Sequence, residues 1–102
     1  MKIVVADDLP DSALDLLRAE PGWRVDARSG RSPEQLAADL ADADALLVRS
    51  ATKVTSALLS AAPRLRIVGR AGTGVDNIDM TAASGRGILV VNAPGANSIS
   101  VA

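Results

Sequence analysis

The sequence predicts an α/β domain built on an open, parallel, five-stranded sheet with helices on both faces. Apolar runs of strand length alternate with segments of helical period, the pattern of successive βαβ units. Prolines and small polar residues punctuate the helical segments where caps and stops belong. At 102 residues the chain suits one domain, large enough to bury roughly two thirds of its unfolded surface.

The strands are expected near residues 2–7, 23–28, 44–49, 66–71 and 88–92. Pro10 marks the first turn of a first helix, whose Ala13, Leu14 and Leu17 share one face before Pro21 closes it. Ser32, Pro33 and Gln35 read as a cap, a first-turn proline and the reciprocal partner of a capping box, ahead of Leu36, Ala37 and Leu40. Thr55 caps a third helix with Leu58, Leu59 and Ala62 that stops at Pro63. Asp79 caps a short fourth helix ending around Gly85 to Gly87. Five strands so connected suit the flavodoxin-like order 2-1-3-4-5, which binds ligands beyond the carboxyl ends of its strands. Asp7 and Asp8, Arg49 and Ser50, Arg70 to Gly74, and Asn92 to Pro94 fall at those ends.

Composition narrows the function. The core must come from Val, Leu, Ile and Ala, since Phe and Tyr are absent and Trp23 stands alone. Eleven basic and twelve acidic residues give a net charge of −1 with no run of one sign, so neither a nucleic-acid footprint nor a membrane-surface patch is expected. Without Cys or His the chain lacks the usual zinc ligands and thiol chemistry, and no metal site is expected. KIVVAD follows Met1 directly, with no export leader. A reducing, cytoplasmic setting is the expectation.

Three stretches carry candidate chemistry. The acidic pair Asp7 and Asp8 could hold Mg²⁺ as in a phosphoreceiver module, but Arg49 and Asn92 stand where such a module needs an Asp and a Lys. Alternatively Asp8 starts a turn before Pro10 and Asp7 pairs with a neighbouring Arg. VRSATKVT places Arg49 and Ser50 at the third strand's end, next to the fourth strand that leads into VGRAGTGVDNID with Arg70 and three glycines. Two arginines beside uncovered glycine N–H groups suit an anionic small molecule, although each could equally be a solvated or ion-paired side chain. Gly72-Thr73-Gly74 is no dinucleotide fingerprint, because it follows the fourth strand and a VDNID segment intervenes before the helix.

Taken in order, KIVVADDLP, VRSATKVT, IVGRAGTGVDNID, GILVVNAP and NSISVA resemble the front half of the NAD-dependent D-isomer-specific 2-hydroxyacid dehydrogenases. That resemblance implies an incomplete substrate-binding domain over 1–97, with 98–102 starting a crossover helix into an absent NAD domain. It also implies a homo-oligomer. Carried over, Arg49, Ser50, Arg70 and Gly74 line the substrate side of the cleft, the arginines holding the phosphate and carboxylate of a phosphorylated hydroxy acid. Thr73 touches the nicotinamide end of NAD, and Asn97 and Ser98 lie near the crossover. The family's catalytic Arg, Glu and His match nothing in this chain, so it is expected to contribute no catalytic residue, to be inactive alone and not to bind NAD by itself. The rivals are another dehydrogenase of the family, for D-lactate or hydroxypyruvate, and a non-enzymatic flavodoxin-like binding or receiver module.

Overall fold

The computed structural model describes residues 1–71 and 76–93. Five strands, β1 (Lys2–Val5), β2 (Arg24–Ala27), β3 (Ala45–Val48), β4 (Ile67–Ala71) and β5 (Leu89–Ala93), form one sheet in the order β2-β1-β3-β4-β5. Every pairing is parallel, so all five carboxyl ends open on one edge. Four helices connect them: α1 (Asp11–Arg18), α2 (Pro33–Leu40), α3 (Ser56–Ser60) and α4 (Met80–Gly85). The expected class, strand order and helices are all present.

Helix boundaries follow local chemistry. Ser32, Thr55 and Asp79 each accept a hydrogen bond from the backbone N–H three residues on, at 3.0–3.1 Å, so each covers one of the donors a helix start leaves orphaned. Gly87, with φ at 70°, lets the chain reverse after α4, and Ile88 N–H returns to the Ala83 carbonyl at 2.9 Å. Two expectations shift. Pro10 is the cap residue of α1 rather than its first helical residue, because its extended ψ of 147° delivers the chain from the β1 turn. The Gln35 side-chain amide donates forward to Asp39 at 3.1 Å, one helical turn on, a charge-assisted bond in place of the expected reach back to the Ser32 backbone N–H.

The sheet's two faces are covered unequally. On one, Val4, Leu46 and Val68 lie abreast in register and pack with Leu36, Leu40, Leu58, Leu59 and Ala83 from α2, α3 and α4. On the other, Ile3, Val5 and Ala45 pack with Leu14 and Leu17 of α1 alone. Beyond β3 the described residues leave that second face open: Leu89 is 60% and Val91 45% exposed, along an apolar groove of about 590 Å³ that also reaches Leu47 and Ile67.

An arginine cluster closes the β2 end. Arg31, whose side chain is only 3% exposed, donates to the Val5 and Asp26 carbonyls at 3.1 Å each. It also lies 2.8 Å from Asp26 Oδ1 and 3.0 Å from Asp39 Oδ2. Its Nε faces Asp39 at an angle outside hydrogen-bond geometry, so that contact is ionic only. Arg28 grips the Asp26 carboxylate through two nitrogens at 2.9 Å. These bonds fasten α2 to the ends of β1 and β2.

The hydrogen bond from Arg28, with the charge of Arg31 behind it, holds the Asp26 carboxyl below its usual range despite the opposing pull of burial. Lys2 does the same for Asp42. A carboxylate lowered on folding stabilises the protein above its unfolded pKa, and that contribution disappears as pH falls through the folded value. Urea midpoints should therefore be level above about pH 5 and drop below about pH 4. Asp26→Asn should flatten the acid limb; a variant with an unchanged acid slope would remove this cluster from the cause.

Candidate functional site

The turn after β3, residues 49 to 52, lies at the carboxyl edge and is held from both sides. Asp7, 8% exposed just past β1, accepts hydrogen bonds from Arg49 N–H at 2.7 Å and Thr52 N–H at 3.1 Å through Oδ2. Its Oδ1 accepts from the Thr52 hydroxyl at 2.6 Å. From the opposite side Asn77 Nδ2 donates to the Arg49 and Thr52 carbonyls, both at 2.6 Å. One carboxylate thus collects the turn's donors and one amide nitrogen serves its acceptors. Each group would otherwise stand at a strand end with no ladder to join.

The same clamp reaches the fourth strand. Arg70 pairs across the sheet with Val48 on one side and Asn92 on the other, and its Nε donates to Asn77 Oδ1 at 2.5 Å. Asn77 is itself fixed by main-chain bonds. Its carbonyl accepts from Val54 N–H and Asp79 N–H donates to the Val54 carbonyl, both at 2.8 Å, which makes a one-rung parallel bridge between Val54 and the buried Ile78. The Arg49 side chain is exposed and donates to the Asp8 carbonyl at 3.3 Å; Ser50 is exposed beside it. The Arg49 backbone carbonyl and the Arg70 side chain, at neighbouring strand ends as expected, therefore share one intermediary.

Two expectations change. Asp7 holds backbone N–H groups and a hydroxyl rather than an arginine side chain, because the turn folds back over the β1 end and brings its donors closer than any guanidinium. With both oxygens so engaged it is poorly placed to ligate Mg²⁺, and among the described residues no cluster of three or more Asp, Glu, His or Cys forms. Gly69 is a strand residue rather than part of an anion-binding turn. It pairs with Leu47, and a Cβ added there would lie 2.6 Å from Leu47 Cδ2, so its smallness makes room for a leucine. Thr73, Gly74, Asn97 and Ser98, together with the boundary at 97–98, lie outside the described residues.

Thr52 and Asn77 had no role assigned from sequence. Both sit inside the motifs VRSATKVT and VGRAGTGVDNID; apart from the Arg70–Asn77 bond within the second motif, the contacts that join them to Asp7 and to each other's segment span 25 to 45 residues, and no local pattern encodes them.

The family model described as D-isomer specific 2-hydroxyacid dehydrogenase, catalytic domain, matches residues 3–102. The chain is 48% identical over its whole length to a D-3-phosphoglycerate dehydrogenase of Archaeoglobus fulgidus. It is 46% identical over 99% of its length to the D-3-phosphoglycerate dehydrogenase of Homo sapiens. It spans 19% of each of those curated relatives. Among solved structures, the NAD⁺-bound 3-phosphoglycerate dehydrogenase of Entamoeba histolytica superposes with a TM-score of 0.82 and 32% identity, over 92% of this chain and 33% of that one. Among the described residues no helix is long and apolar enough to cross a membrane.

The Asp7 clamp makes a stability prediction. Asp7→Ala strands three donors and should cost about 1.5–3 kcal/mol in urea denaturation, whereas Asp7→Asn keeps an acceptor for the N–H groups and should lose clearly less. Amide exchange at Arg49 and Thr52 should accelerate in Asp7→Ala ahead of the core strands. Unchanged protection at both would show that the turn does not depend on Asp7.

Proposed function

The chain belongs to the D-isomer specific 2-hydroxyacid dehydrogenase family, and from that premise we propose that it forms the substrate-binding portion of an NAD-dependent oxidoreductase for 3-phospho-D-glycerate. The product is 3-phosphohydroxypyruvate, which makes this the first step of serine biosynthesis. The observation that carries the reading is the pair Arg49 and Arg70, at adjacent strand ends and tied to one amide, in a chain 48% identical to a D-3-phosphoglycerate dehydrogenase. A second arginine is useful when the acid carries a second anion. That favours a phosphorylated acid over D-lactate or hydroxypyruvate, which are the alternatives within the family.

In this reading the chain's part is positioning. Arg49 and Arg70 take the carboxylate and phosphate, with forked donors that fix the orientation of each anion as well as its charge. Ser50 offers a hydroxyl beside them, and Gly74 and Thr73 complete the substrate and nicotinamide sides. NAD would supply the hydride acceptor for oxidation of the acid's hydroxyl carbon. The described residues do not form a cradle for the dinucleotide: the β1–α1 turn, ADDLPD, has no glycine, and Asp7 there is engaged with the 49–52 turn. The chain contains no His, so the base, like the catalytic Arg and Glu, comes from sequence beyond these residues. The complete enzyme is read as a cytoplasmic homo-oligomer.

Steady-state kinetics of the full-length enzyme, both substrates varied, test this reading. Losing a charged partner in a partly desolvated site typically costs roughly 2–5 kcal/mol, or about 30-fold to several-thousand-fold in affinity. Arg49→Ala and Arg70→Ala should each raise KM for 3-phosphoglycerate on that scale with little change in KM for NAD, and Lys should rescue only partly because it cannot bond bidentately. Values within about twofold of the parent for both variants would return the arginines to ordinary surface charges.

A further inference from the structure

We infer that Asn77 is a positioning residue for the anion site, setting Arg49 and Arg70 relative to each other through its single side-chain amide. This rests on the substrate-site reading of the two arginines. Asn77 is the one described side chain hydrogen-bonded both to the Arg49–Thr52 turn and to the Arg70 guanidinium. All three contacts have the polarity its amide requires: the nitrogen donates to two carbonyls and the oxygen accepts from Nε. No rotation by half a turn about χ2 preserves them, because the oxygen would then face two carbonyl oxygens.

The amide is also well anchored. The Val54–Ile78 bridge holds the Asn77 carbonyl and, two residues on, the Asp79 N–H, and Val54 and Ile78 are buried in the main core. Its placement is therefore paid for by folding, not by substrate binding, which is the condition for a preorganised site. Arg49 has an exposed, long side chain, so its position depends on where its own backbone stands. Asp7 fixes the N–H side of that backbone and Asn77 the carbonyl side. Removing the Asn77 amide leaves the turn held on one side and releases Arg70 Nε from a shared reference point. The Arg49 backbone and the Arg70 guanidinium then no longer share one anchor.

The test is a double-mutant cycle in the full-length enzyme with Asn77→Ala, Arg49→Ala and the pair, following KM for 3-phosphoglycerate, KM for NAD, kcat and thermal midpoint. Asn77→Ala should raise KM for 3-phosphoglycerate about tenfold or more, with KM for NAD within about twofold and a smaller effect on kcat. In the Arg49→Ala background the same substitution should have a reduced effect, because the carbonyl that Asn77 holds remains but carries no guanidinium to position, leaving only the share that acts through Arg70. If Asn77→Ala leaves KM for 3-phosphoglycerate unchanged while Arg49→Ala raises it, the positioning role is overturned and the substrate site survives. Equal effects of Asn77→Ala in both backgrounds overturn it too, as a general structural loss would give that result. If Arg49→Ala itself leaves KM unchanged, the substrate-site reading fails and this inference with it. Should Asn77→Ala not yield folded enzyme, Asn77→Ser is carried through the same cycle under the same criteria.

Discussion

The hydrogen bonds that Asp7 collects from the 49–52 turn are the constraint on which the rest of the edge depends. Parallel pairing brings every strand to a stop on the same side of the sheet, and each stop leaves backbone donors and acceptors with no neighbour strand to meet them. At β3 a buried carboxylate answers the donors and Asn77 answers the acceptors. Because Asp7 follows β1 and Asn77 precedes α4, the two together join the ends of β1, β3 and β4. Partly buried and nearly fully satisfied, such a network is stiff: each bond is stronger away from water, and losing any one exposes the cost of the others.

Much of the fold was legible because it is written locally. Alternating apolar runs located all five strands to within a residue or two, and Ser32, Thr55, Asp79 and Gly87 marked helix ends through bonds that span three to five residues. The departures share one cause. Gln35 turned to Asp39, Asp7 to a turn 42 residues on, and Gly69 proved to be a fit to Leu47 across the sheet. In each case several partners were chemically acceptable, and three-dimensional proximity chose among them. The position of Arg49 next to Arg70 was readable from strand order, whereas the amide between them was not. Arg31 is the plainest omission: a charge with 3% exposure looks in sequence like any other arginine in a loop.

The uneven cover of the sheet has the same origin. Leu89, Val90 and Val91 are all apolar, which suits a strand buried on both faces. Val90 packs with the α2–α4 core while Leu89 and Val91 stand exposed on the α1 side. Sequence alone states that both faces of β5 are apolar. Which of them the described residues cover is decided by crossover handedness, since right-handed connections in the order β2-β1-β3-β4-β5 put α1 on one face and α2 to α4 on the other.

Two arginine environments in this one small domain show why the chemical nature of the acceptor matters. At the β2 end, Arg28 and Arg31 are met by Asp26 and Asp39, so the positive charges are compensated where they sit and the cluster serves as a fastening. At the carboxyl edge two contacts are of another kind: Arg70 Nε donates to Asn77 Oδ1 and Arg49 Nη1 to the Asp8 carbonyl. A neutral oxygen orients a guanidinium without adding a negative charge beside it, and a carboxylate in the same place would hold it at least as firmly while competing with an incoming anion. Among the described residues, the carboxylate that binds the turn, Asp7, is taken up by backbone N–H groups and a hydroxyl. Scaffolding built from such contacts can stiffen an edge without placing a carboxylate of its own beside the guanidinium it orients.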